Sequence, residues 1–143
     1  MNDQYKNSYK ATAKELVSLS VYNVGYQLCD AGYQWGPGIR DHYPIHYVIS
    51  GKGTYEVNNE THFLSAEDAF LVYPNTEIIY RADAKTPWEY AWVGFTGSDA
   101  ATILQATDFS RKHPCIHAVP NGEEVKRQLL HIYDARGNGF EHA

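Results

Sequence analysis

The sequence is poor in cysteine and has no long apolar run. Its 143 residues include two cysteines, Cys29 and Cys115, whose separation fits no metal-binding spacing, and a reduced pair is expected. The N-terminal segment carries Lys6, Lys10 and Lys14 and lacks the apolar stretch of a signal peptide. No apolar run reaches the ~20 residues that a membrane span requires. These absences predict a cytoplasmic protein without a membrane partner.

Positive charge and catalytic motifs are also scarce. Twelve Lys and Arg against 17 Asp and Glu give a net charge of −5, so this segment is not expected to bind the phosphate backbone of DNA itself. There is no Gly-x-Ser-x-Gly motif, and neither cysteine has an evident His and Asn or Asp arrangement. The glycines of Gly51-Lys52-Gly53 precede no helix and indicate a hairpin turn rather than a phosphate loop. The sequence therefore predicts no catalytic residues and no cofactor.

What the chain does have is an apolar, aromatic composition arranged in short runs. Hydrophobic residues make up 43% of the chain and aromatic residues 14%, including 12 tyrosines, which is typical of one globular domain. Short turns separate seven β-like runs, which predicts a mainly β fold, an antiparallel barrel or sandwich. The segment Asp30–Gly38, rich in glycine, is predicted to be a loop. The runs are Val21–Cys29, His42–Ser50, Thr54–Val57, Thr61–Leu64, Ala69–Tyr73, Glu77–Arg81 and Trp88–Phe95.

The pattern changes after Gly97. Asp99–Thr107 has helical character, residues 113–118 suggest one more short strand, and Gly122–Ala135 has apolar residues at helical spacing. We therefore divide the chain into an N-terminal arm (1–20), a barrel (21–118) and a C-terminal helical region (119–143).

The most informative run is Pro87–Phe95. Side chains on a strand alternate between faces, so Trp88, Tyr90 and Trp92 share one face and Ala91 and Val93 the other. Three large rings with N–H and O–H groups form a flat wall that suits the C–H faces and hydroxyls of a sugar. The simpler interpretation is a packed β-core. We assign Tyr90 and Trp92 to a ligand wall and Trp88 to the rim or to packing.

Other polar residues are predicted to complete the site. Tyr80 ends the preceding run, and His46 and Ser50 are expected on one face of their strand. Arg40 precedes that strand and is placed to reach over the barrel mouth. A small polyol would stack on Trp92 and form hydrogen bonds with Tyr80, Tyr90, His46 and Arg40.

Two other functions remain open. His42 and His46 share a predicted face, which is compatible with a metal-dependent enzyme, but a third ligand is missing, and His62 is expected to be exposed. The apolar positions of Val125–Ile132 would also serve a pure dimerisation module, although such a stripe more often packs on its own domain.

Four spaced motifs occur in order along the chain: Arg40-Asp-His-Tyr-x-Ile-His-Tyr-Val-Ile-Ser-Gly-x-Gly, Leu64-x-x-x-Asp68-x-Phe-Leu-Val-x-Pro74, Tyr80-x-Ala-Asp, and Pro87-Trp-x-Tyr-x-Trp-Val-x-Phe95. Together they resemble the effector-binding domain of AraC-type transcription regulators. The resemblance covers about residues 20–97 and is nearest to sugar-responsive members that accompany oligosaccharide operons.

The resemblance implies a cupin-like jelly roll that binds a sugar, followed by dimerisation helices and by a helix-turn-helix domain that binds DNA. The sequence has no such DNA-binding domain, so the resemblance implies a fragment of a homodimeric regulator. In the family the N-terminal arm closes over the sugar, a part that residues 1–18 would play.

The resemblance also implies site residues. In the arabinose-binding member, a Tyr, a His and a Trp contact the sugar at positions that match Tyr80, Tyr90 and Trp92, and an Arg contact matches Ser50. Tyr90 and Ser50 depart from that pattern, so the expected effector is another small sugar or an oligosaccharide.

Overall fold

The computed structural model describes residues 20–139, and the predicted arm lies outside the described residues apart from Ser20. Its strands and helices, in chain order, are β1 (Ser20–Leu28), β2 (Gln34–Gly38), β3 (Tyr43–Ser50), β4 (Lys52–Val57), β5 (Glu60–Ser65), β6 (Ala69–Leu71), β7 (Ile78–Ala82), β8 (Glu89–Thr96), α1 (Ala100–Leu104), β9 (Cys115–Ile116) and α2 (Gly122–Gly139).

These strands form two antiparallel sheets. One has the order β9-β6-β3-β8-β1 and the other the order β2-β7-β4-β5. The main apolar core lies between them, with Phe70 and Tyr90 from the first sheet and Tyr55, Ile78 and Tyr80 from the second. The predicted mainly β jelly-roll architecture followed by C-terminal helices is confirmed.

The chain changes sheet between β3 and β4. Gly51 has a φ of 75°, and a Cβ there would lie closer than 3.0 Å to the backbone of Pro87. Only glycine fits this corner without strain. The prediction that β4 pairs with β3 in a hairpin was therefore wrong, since β4 pairs with β5 and β7 instead. A two-residue hairpin does join β4 to β5, where Asn58 and Asn59 have φ values of 55° and 63°.

The outer face of the first sheet is covered by α2. Ala91 of β8 and Tyr47 of β3 form one apolar cluster with Leu129 of α2, and Val93 and Val125 pack against it. The face of β8 opposite Tyr90 and Trp92 therefore packs against a helix that follows it in the chain. Within residues 20–139, no helix combines the length and the apolar composition needed to cross a membrane.

Candidate functional site

Four of the predicted site residues meet inside the barrel. His46 comes from β3, Tyr80 from β7, and Tyr90 and Trp92 from β8. The ring centroid of His46 lies 5.0 Å from that of Tyr80, 4.9 Å from that of Tyr90 and 5.6 Å from that of Trp92. His46 lies directly opposite Trp92 across the β3–β8 ladder, which brings their rings to the same face. We call these four residues the ring cluster.

The four members of the ring cluster differ in their exposure to solvent. Tyr90, His46 and Tyr80 are 1%, 2% and 3% exposed, whereas Trp92 is partly exposed. The Tyr90 hydroxyl contacts the Cys29 thiol, and burial raises the pKa of both groups. Trp88 continues the row of rings inward and is fully buried. Trp88 therefore belongs to the packing, and the rim position considered for it was wrong.

Large buried side chains pack around the ring cluster inside the barrel, among them Phe70 and Trp88. Three open grooves of about 520, 500 and 480 Å³ lie beside the Asn58–Asn59 hairpin, beside Phe63 and on α2, and all three are lined by residues outside the ring cluster. Trp92 is the one partly exposed member of the ring cluster, so solvent reaches the cluster at the edge where Trp92 lies.

Arg40 contacts the ring cluster at Tyr80. Its Nη2 donates a hydrogen bond of 3.0 Å to the Tyr80 hydroxyl. The guanidinium carbon lies 3.8 Å from the ring centroid of Trp35, and Trp35 in turn stacks on Tyr80 with centroids 5.6 Å apart. Trp35 was missed by the sequence analysis because Asp30–Gly38 was assigned to a loop. The register of β2 against β7, in which Trp35 faces Tyr80, places it in the site.

Ser50 does not join this group. Between Val48 and Ser50 the β3–β8 ladder has a bulge, so that Ser50 lies opposite Glu89. Its exposed hydroxyl donates a hydrogen bond of 2.9 Å to Glu89, which also accepts one from Tyr26. The expectation that Ser50 shares the face of His46 was wrong, because the extra residue of a bulge reverses the alternation of side chains.

Two buried polar atoms at the site lack hydrogen-bond partners among the described residues. They are Nδ1 of His46 and Nε of Arg40. Unsatisfied buried polar atoms are costly and rare, and in a native protein each one calls for a partner such as water or a ligand. Burial, together with the positive charge of Arg40, lowers the pKa of His46 to about 3. The imidazole is therefore neutral near pH 7 and has one ring nitrogen free of a proton.

The lowered pKa of His46 predicts a specific sensitivity to acid. As the pH falls below the unfolded-state value of 6.5, the unfolded chain binds a proton that the folded chain rejects down to about pH 3. The His46 contribution to the free energy of unfolding is thus complete above pH 6.5 and is lost between pH 6.5 and pH 3. We expect this contribution to fall by about 2 kcal/mol between pH 7 and pH 5. Urea denaturation at both pH values should show a correspondingly smaller acid loss in His46→Gln, and an equal loss in both proteins would contradict the prediction.

The histidines do not assemble a metal site in the described residues. His42 precedes β3, stacks on Tyr22 with centroids 4.2 Å apart and lies 2.8 Å from an Asp41 oxygen. His46 instead stacks on Phe70. His62, expected to be exposed, lies half-buried on β5 with its ring 6.1 Å from that of Tyr55. Within residues 20–139, no three His, Cys, Asp or Glu side chains are grouped to hold a metal ion.

A jelly roll with an aromatic, hydrogen-bonding cluster at one edge is typical of β-barrel ligand-binding domains. Residues 20–141 match the family described as the AraC-like ligand binding domain. The chain belongs to this family.

Three curated relatives carry names of operon regulators. The Msm operon regulatory protein of Streptococcus mutans is 42% identical over 68% of this chain and 35% of its own length. The raffinose operon transcriptional regulatory protein RafR of Pediococcus pentosaceus is 37% identical over 87% of this chain and 46% of its own length. The lactose operon transcription activator of Staphylococcus xylosus is 26% identical over 73% of this chain and 38% of its own length. The chain thus spans less than half the length of these relatives.

Solved structures show a looser likeness. A predicted oxalate decarboxylase of Thermotoga maritima is 14% identical, with a TM-score of 0.47, over 59% of this chain and 73% of that chain. A Cupin 2 conserved barrel domain protein of Salinispora arenicola is 12% identical, with a TM-score of 0.46, over 61% of this chain and 79% of that chain. The fold assignment rests on the sheet topology of this chain itself.

Proposed function

We propose that this chain is the sensor domain of a sugar-responsive transcription regulator and that it binds a small saccharide at the ring cluster. One observation carries the proposal: the partly exposed indole of Trp92 lies beside His46, which keeps a buried nitrogen without a partner. An aromatic face next to unsatisfied polar atoms fits a ligand that has both C–H faces and hydroxyls.

The hydrogen-bonding roles at the cluster also fit a polyol. Neutral His46 can accept a hydrogen bond from a hydroxyl, provided that its free ring nitrogen is Nδ1. The Tyr80 oxygen accepts a hydrogen bond from Arg40, which leaves the phenolic proton available to a ligand oxygen. Burial raises the pKa of Tyr80 and keeps this proton in place near pH 7, although Arg40 opposes the shift. The relatives named for raffinose and lactose operons support the same class of ligand.

Transmission of the signal would use both faces of β8. Tyr90 and Trp92 face the proposed saccharide, while Ala91 and Val93 on the reverse face contact the cluster that holds Leu129 of α2. A ligand that shifts β8 would thereby alter how α2 packs. To shift the populations of two conformational states from 1:99 to 99:1, the ligand would have to bind one state about 10⁴-fold more tightly than the other. In this proposal the region from residue 119 contributes to a homodimer, and a separate DNA-binding domain of the full-length cytoplasmic protein responds to it.

Calorimetric titration with raffinose, lactose, galactose and arabinose tests the proposal. We expect at least one of these sugars to bind, and we expect Trp92→Ala to weaken that binding by roughly tenfold or more, because the stacking surface is lost. Phe63→Ala is the matched control, since it removes an aromatic ring that is 72% exposed on the outer face of β5. Absence of binding by all four sugars, or equal binding by Trp92→Ala, would exclude the proposed site.

A further inference from the structure

Among the described residues, Arg40 forms no salt bridge, although the pKa of the neighbouring Asp41 carboxyl is lowered by its hydrogen bond with His42 and, to a lesser extent, by the charge of Arg40. Arg81 lies 3.7 Å from Glu56, and Arg127 lies 2.6 Å from Glu124. Arg111 lies over the ring of Tyr73 and donates a hydrogen bond to the Thr76 hydroxyl. Arg40 contacts two aromatic side chains, Trp35 and Tyr80. Its Nε is buried and has no partner among the described residues. A buried, charged N–H group without a partner is costly, so the Arg40 Nε–H needs a hydrogen-bond acceptor from outside these residues.

Trp35 fixes where the guanidinium lies. The indole stacks on Tyr80 with an interplanar angle of 12°, and the Arg40 guanidinium lies over the indole. Gly38 makes room for this ring, because a Cβ at Gly38 would come within 2.8 Å of it. Trp35, Tyr80 and Arg40 therefore form a closed triangle in which each member restrains the other two. Such restraint reduces the entropy that an arginine side chain loses when it binds a ligand.

We infer that Trp35 is a positioning residue that holds Arg40, and that the Nε–H of Arg40 donates a hydrogen bond to an oxygen of the bound ligand. This inference rests on the proposed saccharide site and adds a residue to it. Trp35 acts through Arg40 and is not itself a stacking surface for the sugar, which remains the part of Trp92.

The first test needs no ligand. In the nuclear magnetic resonance spectrum of the free protein, the Arg40 Nε–H signal is identified by its loss in Arg40→Lys. We expect the ring current of Trp35 to displace its proton upfield, Trp35→Leu to abolish the displacement, and Trp35→Phe to retain part of it. An Arg40 signal that is unchanged in Trp35→Leu would overturn the positioning role.

The second test is a double-mutant cycle with raffinose as the probe. We expect Arg40→Ala to weaken binding by roughly 10- to 100-fold and Trp35→Leu by about 3- to 10-fold, with Trp35→Phe within about twofold of the wild type. In the Arg40→Ala background, Trp35→Leu should change the affinity by less than about twofold. Arg81→Ala is the charge-matched control on the outer face of β7, and thermal melting verifies that each variant folds.

The outcomes separate the two proposals. If Trp35→Leu weakens binding equally with and without Arg40, Trp35 contacts the sugar directly and the positioning role is wrong. If the wild type binds neither raffinose nor the other three sugars, the proposed function fails and the ligand contact of Arg40 fails with it. The resonance of the free protein still decides whether Trp35 holds Arg40.

Discussion

Replacing Gly25 with alanine is expected to lower the free energy of unfolding by about 1–3 kcal/mol and to weaken saccharide binding at the ring cluster. Gly25 lies opposite Trp92 in the β1–β8 ladder, and the Trp92 indole lies across the space that a side chain would occupy. A Cβ at Gly25 would come closer than 3.0 Å to three atoms of this ring. The ring would have to move, and the surface proposed for the sugar would move with it.

The double variant provides the control for this prediction. In a Trp92→Ala background the steric conflict disappears, so Gly25→Ala should be neutral or stabilising by up to about 1 kcal/mol, because alanine reduces the freedom of the unfolded chain. Chemical denaturation of the four proteins measures this reversal of sign. An equal destabilisation in both backgrounds would show that Trp92 does not cause the conflict.

The alternation of residues in Pro87–Phe95 predicted the central strand of the site correctly. Trp88, Tyr90 and Trp92 do share one face, and Ala91 and Val93 do lie on the other, where the structure packs them against α2. Assigning alternate residues to opposite faces succeeds here because other elements cover both faces of β8, which strongly specifies the register of the strand. His46 approaches from the neighbouring strand β3, and Tyr80 approaches from the opposite sheet.

Prediction from residue alternation and local composition failed where the backbone departs from a regular strand. At the bulge before Ser50 one extra residue reversed the alternation, and nothing in the local composition marks that position. In β2, glycines and Pro37 indicated a loop, yet an edge strand tolerates proline because one side of it forms no ladder. Trp35 was missed together with its strand, so the contact that holds Arg40 could not be predicted.

Removing the carboxylate of Asp68 is expected to lower the free energy of unfolding by about 2–4 kcal/mol. Asp68 is 6% exposed and accepts hydrogen bonds from the backbone N–H of Ser65 at 2.8 Å and of Ala118 at 2.9 Å. It also lies 3.2 Å from Nδ1 of His117. In Asp68→Ala the two backbone donors lose their acceptor, and such orphaned groups are costly.

The destabilisation caused by Asp68→Ala should be concentrated on the segment that leads into α2. Asp68 and the short pairing of β9 with β6 hold residues 114–119 against the barrel, and Val119 donates a further backbone hydrogen bond to Glu67. Hydrogen exchange should therefore accelerate at residues 115–119 and in α2 of Asp68→Ala well before it does in β3 and β8.

His117→Ala and Asp68→Asn distinguish the contributions. The His117 side chain is 61% exposed, so its removal should cost less than about 1 kcal/mol. Asp68→Asn keeps an acceptor for Ala118 but directs an amide towards the Ser65 donor, and should be intermediate. Wild-type stability of Asp68→Ala would show that water replaces the carboxylate. If instead exchange rises only around α2 while saccharide affinity stays within about twofold of the wild type, the Asp68 contacts serve the docking of α2, and the ring cluster binds its ligand independently of them.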